Sequence, residues 1–453
     1  MIMSVWNHLL SMLSVLSIWS GADQAFATPL TRRWERMMVK HSWNAVPQHW
    51  ESLGHPPADS SIDLYLALKP QNESALIDTL YEVSNPKHAK YVRPPSICAR
   101  TTHFLPPSRC RYGAYLSKEQ LAELVAPNPD MLSLVNSWLD DNGIPSSSIT
   151  MTLGGNWMMV SGMPVPRANE ILGASYQLYH HVETNDSVVR TVSYSLPEAL
   201  HGHIQTVVPT TYFGSPRAER SKPFVHPRGV AAAREKEELV TVLPSREVHV
   251  TPAYLRGLYK TMGYVPAAED QNEIGVTGYM MQYPNPQDLR AFMTEFRTDG
   301  ENATFSPTPL NGGGYDPRNP GLEANLDLQL AEAMTFPTPN IFYSTGGVMG
   351  TITDPYVHWI AFMLGQIKVP QTVTTSYNSN EDEVPPDYAL SLCVGFAYLG
   401  IRGVSVLFST GDWGVGPGDC LIKDSSGDVS VHFRPQFPAS CTCGGVYLNS
   451  QQT

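Results

Sequence analysis

Beyond Thr251 the sequence alternates short β-branched or apolar runs with runs of helix length, and this order restricts the second half of the chain to a narrow set of folds. IGVTGYMMQY, IFYSTGG, TVTTSYN and VSVLFSTGD have the length and composition of strands, while DLRAFMTEFR, the acidic run LEANLDLQLAEAM, TDPYVHWIAFMLGQ and YALSLCVGFAYLGIRG lie between them as helices. Strands that alternate with helices form a parallel sheet covered on both faces. In such sheets the functional loops lie at the carboxyl ends of the strands. SYN after TVTT and STGD after VSVLF are loops of that kind.

The first half reads differently. Between about Trp43 and Gly214, IDLYLALK is an alternating strand, ESALIDTLYEV an amphipathic helix, and MLSLVNSWLDDNG a helix closed by Gly143. These pieces predict a compact α+β domain, and 453 residues are enough for two separate cores. Residues 215 to 247 are rich in Arg, Lys, Pro and Ala without sustained apolar periodicity. They read as an exposed linker open to proteolysis, or as a plain spacer. VRPPSICARTTHFLPPSRCR, residues 92 to 111, interrupts the first domain as a loop that Cys98 and Cys110 can close, or as a translated intron.

Charged residues make up 16% of the chain and the formal net charge is −12, which argues against a nucleic-acid partner. Sparse ionisable groups also leave few carboxylates to protonate in acid. An apolar stretch from Leu9 to Ile18 followed by Ala25 and Ala27 reads as a secretory signal peptide cut after Ala27, and no later run is long enough for a membrane anchor. Six cysteines, at 98, 110, 393, 420, 441 and 443, lack the C-x-x-C pairs typical of zinc sites and suit disulfides in an exported chain. Asn72, Asn185 and Asn302 begin N-x-S/T tripeptides that can accept glycans.

Glu323 and Asp327 are four residues apart in the acidic helix, with Leu322, Leu326 and Leu330 expected as its buried stripe and the two carboxylates side by side on an adjoining face. Most such pairs are simply solvated. Buried together, two carboxyls share one proton. Such a pair can take a proton from a serine hydroxyl in acid, where a histidine base would already be charged. Asp412, in STGDWG, is either an ordinary turn aspartate or a protonated carboxylic acid able to donate to an oxyanion.

LEANLDLQ, YSTGG, TSYN, VPPDYA and RGVSVLFSTGDWGVGPGDC, with LALKPQN, VSNPKHAKY, YGAYLSKEQ, RTVSYSLPEALHGHI and VVPTTYFG before them, together resemble the sedolisin family of serine-carboxyl peptidases. The likeness runs in order over about nine tenths of the chain and is greatest to secreted fungal tripeptidyl-peptidases. It implies an α+β activation prodomain at residues 28 to 214, a processing linker at 215 to 247, and a subtilisin-like α/β peptidase domain from 248 onward. Glu323 would be the general base, Asp327 the residue that orients it, and Asp412 the oxyanion-hole residue. The implied partners are a peptide or protein substrate and the chain's own prodomain as inhibitor, and the implied cofactor is calcium.

The sequence departs from the family at four places. Asn378 stands where the family favours Gly, and Trp413 where a small residue follows the aspartate. After FPASC the chain reads TCGGVYLNSQQT, with no GTS segment to carry the serine nucleophile and no counterpart of the calcium loop. An inactive polypeptide is therefore expected, with a non-catalytic inhibitor or chaperone of a related peptidase, or a gene model that hides a normal C-terminus, as the other readings. Within the peptidase half, Cys420 and Cys441 are the expected disulfide.

Overall fold

The structure is a computed structural model that describes residues 34–84, 115–152, 156–182, 186–214, 250–266, 272–279, 281–346, 354–411, 421–423, 429–431 and 433–441. The stretches read from sequence as a signal peptide and a linker, and the segment between Cys98 and Cys110, lie outside the described residues.

The first unit contains β1 (Met37–Ser42), β2 (Trp50–Gly54), β3 (Ser61–Leu68), α1 (Glu73–Ser84), α2 (Lys118–Val125), α3 (Pro129–Asp141), β4 (Ile149–Met151), β5 (Trp157–Pro164), α4 (Val165–Leu172), β6 (Gln177–His181), β7 (Ser187–Arg190), β8 (Ser193–Pro197) and β9 (Ile204–Val208). Its main sheet is antiparallel, in the order β4-β5-β3-β9. Local chemistry sets the helix ends. Asn72 Oδ1 accepts from the Ala75 amide at 2.9 Å, Ser117 and Gln120 form a reciprocal capping box on α2, and Gly143 follows α3 at φ 71°.

The period-two alternation of β3 divides its side chains between two cores. Ile62, Leu64, Leu66 and Leu68 point into the unit's own core, with Met131, Val135 and Trp138 of α3 and Ile171 and Leu172 of α4. Tyr65 and Ala67, on the other face, join Leu76 and Leu80 of α1 in a cluster that continues into the second unit. The first unit therefore lacks a closed surface of its own on that side.

The second unit follows the alternation read from sequence. It comprises α5 (Pro252–Leu258), β10 (Ile274–Gly278), α6 (Pro286–Phe296), β11 (Phe305–Leu310), α7 (Leu322–Thr335), β12 (Asn340–Thr345), α8 (Pro355–Gly365), β13 (Thr372–Thr375), β14 (Ser379–Asn380), α9 (Pro386–Ile401) and β15 (Ser405–Phe408), followed by β16 (Leu421–Lys423), β17 (Val429–Val431) and β18 (Gln436–Phe437). The central sheet is five-stranded and parallel throughout, in the order β11-β12-β10-β13-β15. Val276 and Phe342 of the sheet pack on Leu289 and Met293 of α6 and on Ala324 and Leu328 of α7. The apolar helices α8 and α9 belong to the other core, shared with the first unit. The chain winds to β11 and back to β12, then crosses to β13 and β15. A parallel sheet wound in both directions opens a crevice at the carboxyl ends of its central strands.

Two expectations need correction. Leu322 is 57% exposed and Leu326 43%, so the leucines of α7 do not form the buried stripe. The buried positions are Glu323, Ala324, Leu328, Glu332 and Ala333, because the alanines let α7 lie close to the sheet while Leu322 and Leu326 lie on its outer side. The disulfide joins Cys441 to Cys393, with Cα atoms 5.4 Å apart, rather than to Cys420. The short β14–β18 pair and a turn in which the Cys441 amide donates to the Pro438 carbonyl at 2.9 Å return the chain to α9, where Cys393 lies against the core. Cys420 lies outside the described residues.

Candidate active site

Glu323 occupies the first turn of α7 and is 4% exposed. A carboxylate there faces the positive end of the helix dipole. The helix starts at Gly321 without a side-chain cap; instead Gln282 reaches across and its Oε1 accepts from the Glu323 amide at 3.2 Å. A Cβ on Gly321 would come within 2.3 Å of the Gln282 side chain, so this approach requires glycine. Asn325 ties the same turn to α6, accepting from the Asn285 amide and donating to Asp288 Oδ2, both at 2.8 Å.

One turn further along, Asp327 is half-buried and accepts a hydrogen bond from Ser376 Oγ at 2.8 Å. Ser376 is the first residue beyond the carboxyl end of β13, in the SYN loop. The next residue, Tyr377, is fully buried against Tyr279, edge to face with ring centroids 4.8 Å apart, and its carbonyl accepts from Tyr356 Oη at 3.0 Å. Burial, followed by the charges of Asp327 and Glu323, pushes the Tyr377 phenol far above its ordinary value. The phenol therefore stays neutral beside the acidic helix.

The loop also reaches the STGD segment. Asn378 is buried and donates through Nδ2 to Ser409 Oγ at 3.1 Å, and the Ser409 amide donates to the Thr375 carbonyl at 3.2 Å. Gly411 turns the chain at φ 80°. Asp412 and Trp413 lie outside the described residues. The structure thus brings Asp327 to the β13 loop, with Glu323 buried one turn earlier on the same helix, and that loop to Ser409, three residues before Asp412 in sequence.

Several contributors were not evident from sequence. Ser376 and Asn378 lie in a segment read as a strand-end loop, so their location was legible and their hydrogen bonds were not. Gln282 carried no signal at all. Glu332, further along α7, is 2% exposed; burial pushes its carboxyl up to about 7, against a smaller opposing effect of hydrogen bonding to Asn340. Among the described residues no group of three or more His, Cys, Asp or Glu side chains could hold a metal ion.

Comparison with known proteins gives the family. The model of the Pro-kumamolisin activation domain matches residues 48–213. Tripeptidyl-peptidase SED2 of Arthroderma otae is 30% identical over 436 residues, covering 93% of this chain and 68% of the relative. The chain belongs to the sedolisin family of serine-carboxyl peptidases. A probable tripeptidyl-peptidase SED3 of Arthroderma benhamiae is also 30% identical, over 88% of this chain and 64% of its own length. The chain thus spans about two thirds of the length of these sedolisin relatives. A solved Pseudomonas sedolisin, described as a serine-carboxyl proteinase complexed with two molecules of pseudo-iodotyrostatin, is 17% identical with a TM-score of 0.32 over 44% of this chain and 52% of that one.

The activation-domain unit meets the other unit through a shared apolar cluster and several polar contacts. Tyr65 Oη lies 3.0 Å from His358 Nε2, Gln205 donates to Asp387 Oδ1 at 2.6 Å, Lys40 Nζ is 2.9 Å from Asp387 Oδ2, and Tyr212 Oη is 3.1 Å from Ser379 Oγ. Ser379 follows directly on the SYN loop, so the activation domain touches the segment that continues from Ser376, the residue bonded to Asp327.

Proposed function

We propose that this chain carries the activation prodomain and the acid–base half of a secreted serine-carboxyl peptidase that cleaves peptides in acid, with tripeptidyl-peptidase activity. Residues 28 to 214 are the prodomain, 215 to 247 the processing linker, and 248 to 453 part of a subtilisin-like peptidase domain. Glu323 acts as general base, Asp327 shares and orients its proton, and Asp412 donates to the oxyanion. The observation that most supports this reading is that α7 buries Glu323 in its first turn and, one turn further on, presents Asp327 to the β13 loop, where Ser376 donates to it at 2.8 Å.

The chemistry follows from the pairing. Two neighbouring carboxyls in a partly dry site hold one proton between them, so one of the two remains able to accept another at a pH where a histidine would be charged. A serine hydroxyl brought to Glu323 would lose its proton to the pair as its oxygen attacks a substrate carbonyl. The 453 residues contain no GTS segment to supply that serine. A polypeptide of these residues alone is therefore inactive, since removing a nucleophile leaves only residual catalysis.

The test is to incubate the purified 453-residue chain, nicked within the linker, with N-terminally free peptides between about pH 3 and 6, the range for a shared-proton pair. No release of tripeptides is expected. Release that disappears in Glu323→Ala would show that a serine within these residues is the nucleophile, and would overturn the inactive reading.

A further inference from the structure

Gln282 lies in the loop between β10 and α6, and its neighbours hold that loop in place. Tyr283 donates through its hydroxyl to the Gly313 carbonyl at 2.8 Å and accepts at its own carbonyl from the Gly321 amide at 3.0 Å, and Asn285 Nδ2 donates to the Pro317 carbonyl at 2.7 Å. On the other side Met281 has φ 56°, a left-handed conformation that is unfavourable for a residue with a β-carbon. Strain of this kind persists where the surroundings enforce it, and it gathers at sites that bind or react. The loop leaves the carboxyl end of a central strand, where a sheet of this type keeps its binding groups.

The Gln282 carboxamide uses only one of its two ends. Its oxygen alone can accept, and Oε1 takes the Glu323 amide at 3.2 Å, which fixes the orientation of the whole group. Nε2 therefore carries two N–H donors in a set direction beside the first turn of α7. Among the described residues nothing accepts from this nitrogen, and it is not a buried orphan either, since Gln282 is half-buried and the nitrogen remains open. A neutral donor next to the buried Glu323, in a chain of net charge −12, suits a neutral acceptor. An ammonium has no lone pair to offer, and a carboxylate would be repelled. The neutral acceptor common to every peptide is the main-chain carbonyl.

We propose that Gln282 is a substrate-binding residue: Nε2 donates to a main-chain carbonyl oxygen of a bound peptide while Oε1 stays on the Glu323 amide. The inference rests on the proposed peptidase reading and adds to it a group that binds the peptide. One rigid carboxamide then sets the distance between a substrate carbonyl and the turn that carries Glu323.

The test is peptide binding by the full 453-residue chain, labelled with 15N and titrated with an alanine hexapeptide that has a free N-terminus and phenylalanine third. At about pH 7 a glutamate side chain is ionised and has no hydrogen to donate. Gln282→Glu therefore keeps an oxygen for the Glu323 amide and removes both donors, so a purely structural role would survive it. The side-chain N–H2 signals of Gln282, identified by their loss in Gln282→Glu, should shift as the peptide saturates. The dissociation constant should rise about three- to tenfold in Gln282→Glu and in the uncharged Gln282→Met, as expected for one neutral hydrogen bond. Should Gln282→Met fail to fold, Gln282→Glu still decides the matter. In a series of peptides with one carbonyl oxygen at a time replaced by sulfur, a weaker acceptor, one member should bind less tightly to wild type and lose nothing further in Gln282→Glu.

Binding by Gln282→Glu as tight as that of wild type overturns the proposal, as do side-chain signals of Gln282 that stay in place at saturation. So does a wild-type chain that does not bind the peptide, or a sulfur series in which no position depends on Gln282. None of these readouts needs activity. Peptide binding that ignores Gln282 would leave the acid–base reading of Glu323 standing, and an acid–base reading that fails in kinetics would leave the Gln282 contact intact.

Discussion

Tyr212, at the end of the activation domain, stacks on Tyr388 of α9 with ring centroids 4.4 Å apart and planes inclined by 24°. Its hydroxyl lies 3.1 Å from Ser379 Oγ. One side chain therefore joins the activation domain both to the apolar core and to the segment that follows Ser376. Stacked aromatic pairs contribute about 0.5–1.5 kcal/mol beyond the area they bury, and deleting a buried ring costs about 3–5 kcal/mol. Tyr212→Ala is expected to weaken retention of the activation domain after the linker is nicked. Co-elution of the two fragments on gel filtration would measure this, and Tyr254→Ala, at an exposed position, would serve as the unaffected control.

The same interface should weaken in acid. Burial lowers the His358 imidazole to about 4, with the charge of Asp63 acting in the opposite direction. A released His358 would return to about 6.5. The docked state therefore binds the proton less readily than the released state, so docking is strongest above about pH 6.5 and weakens as pH falls toward 4. Between those limits the affinity of nicked activation domain should drop by up to about two orders of magnitude on this account. In His358→Gln, titrated by fluorescence or calorimetry, that part of the pH dependence should disappear.

Glu332 gives the opposite sign in the peptidase-like unit. Its carboxyl is raised to about 7, so it is neutral in the fold where an unfolded chain would already have ionised. Its stabilising contribution is fully present below about 4.5 and is lost as pH rises through about 7. Glu332→Gln should be more stable than wild type at pH 8, by about 1–3 kcal/mol, and nearly equal at pH 4. Thermal melts at the two pH values would decide it; a difference independent of pH would contradict the assignment.

Peptide mapping under non-reducing conditions should recover Cys393 linked to Cys441. The closed loop spans 48 residues, and loss of a native disulfide typically costs about 2–4 kcal/mol. Cys393→Ser should lower the melting temperature accordingly, while Cys420→Ser should leave the Cys393–Cys441 peptide intact. Recovery of a Cys420–Cys441 peptide instead would contradict the observed pairing.

Much of the sheet was legible because its signals were local. The β-branched runs that became β10, β12, β13 and β15, and the helices between them, carry their own periodicity. β11 was not legible: FSPTPL contains Pro307 and Pro309, which argue against a central strand. At the sheet edge they are tolerated, since β11 pairs with β12 alone. In the site, the spacing of Glu323 and Asp327 was visible, but the leucines of α7 pointed to the wrong face as buried. Which face a short amphipathic helix covers depends on how closely it approaches its neighbours, and Gln282 and Gly321 set that approach from far apart in sequence. Ser376 could be located at a strand end, but its bond to Asp327 links residues 49 positions apart. No local pattern records such a contact.

The central claim is that Glu323 and Asp327 form the acid–base pair of a peptidase, and kinetics on a completed enzyme test it most directly. The chain would be extended with a C-terminal segment that carries a GTS serine, and assayed for tripeptide release between about pH 3 and 6. The account predicts acid activity that falls by at least about a thousandfold in Glu323→Ala and is strongly reduced in Asp327→Ala and Asp412→Ala. Loss on changing Glu323 and Asp327 but not Asp412 would remove only the oxyanion role. An extended enzyme whose kcat/KM is unchanged in Glu323→Ala would contradict the account.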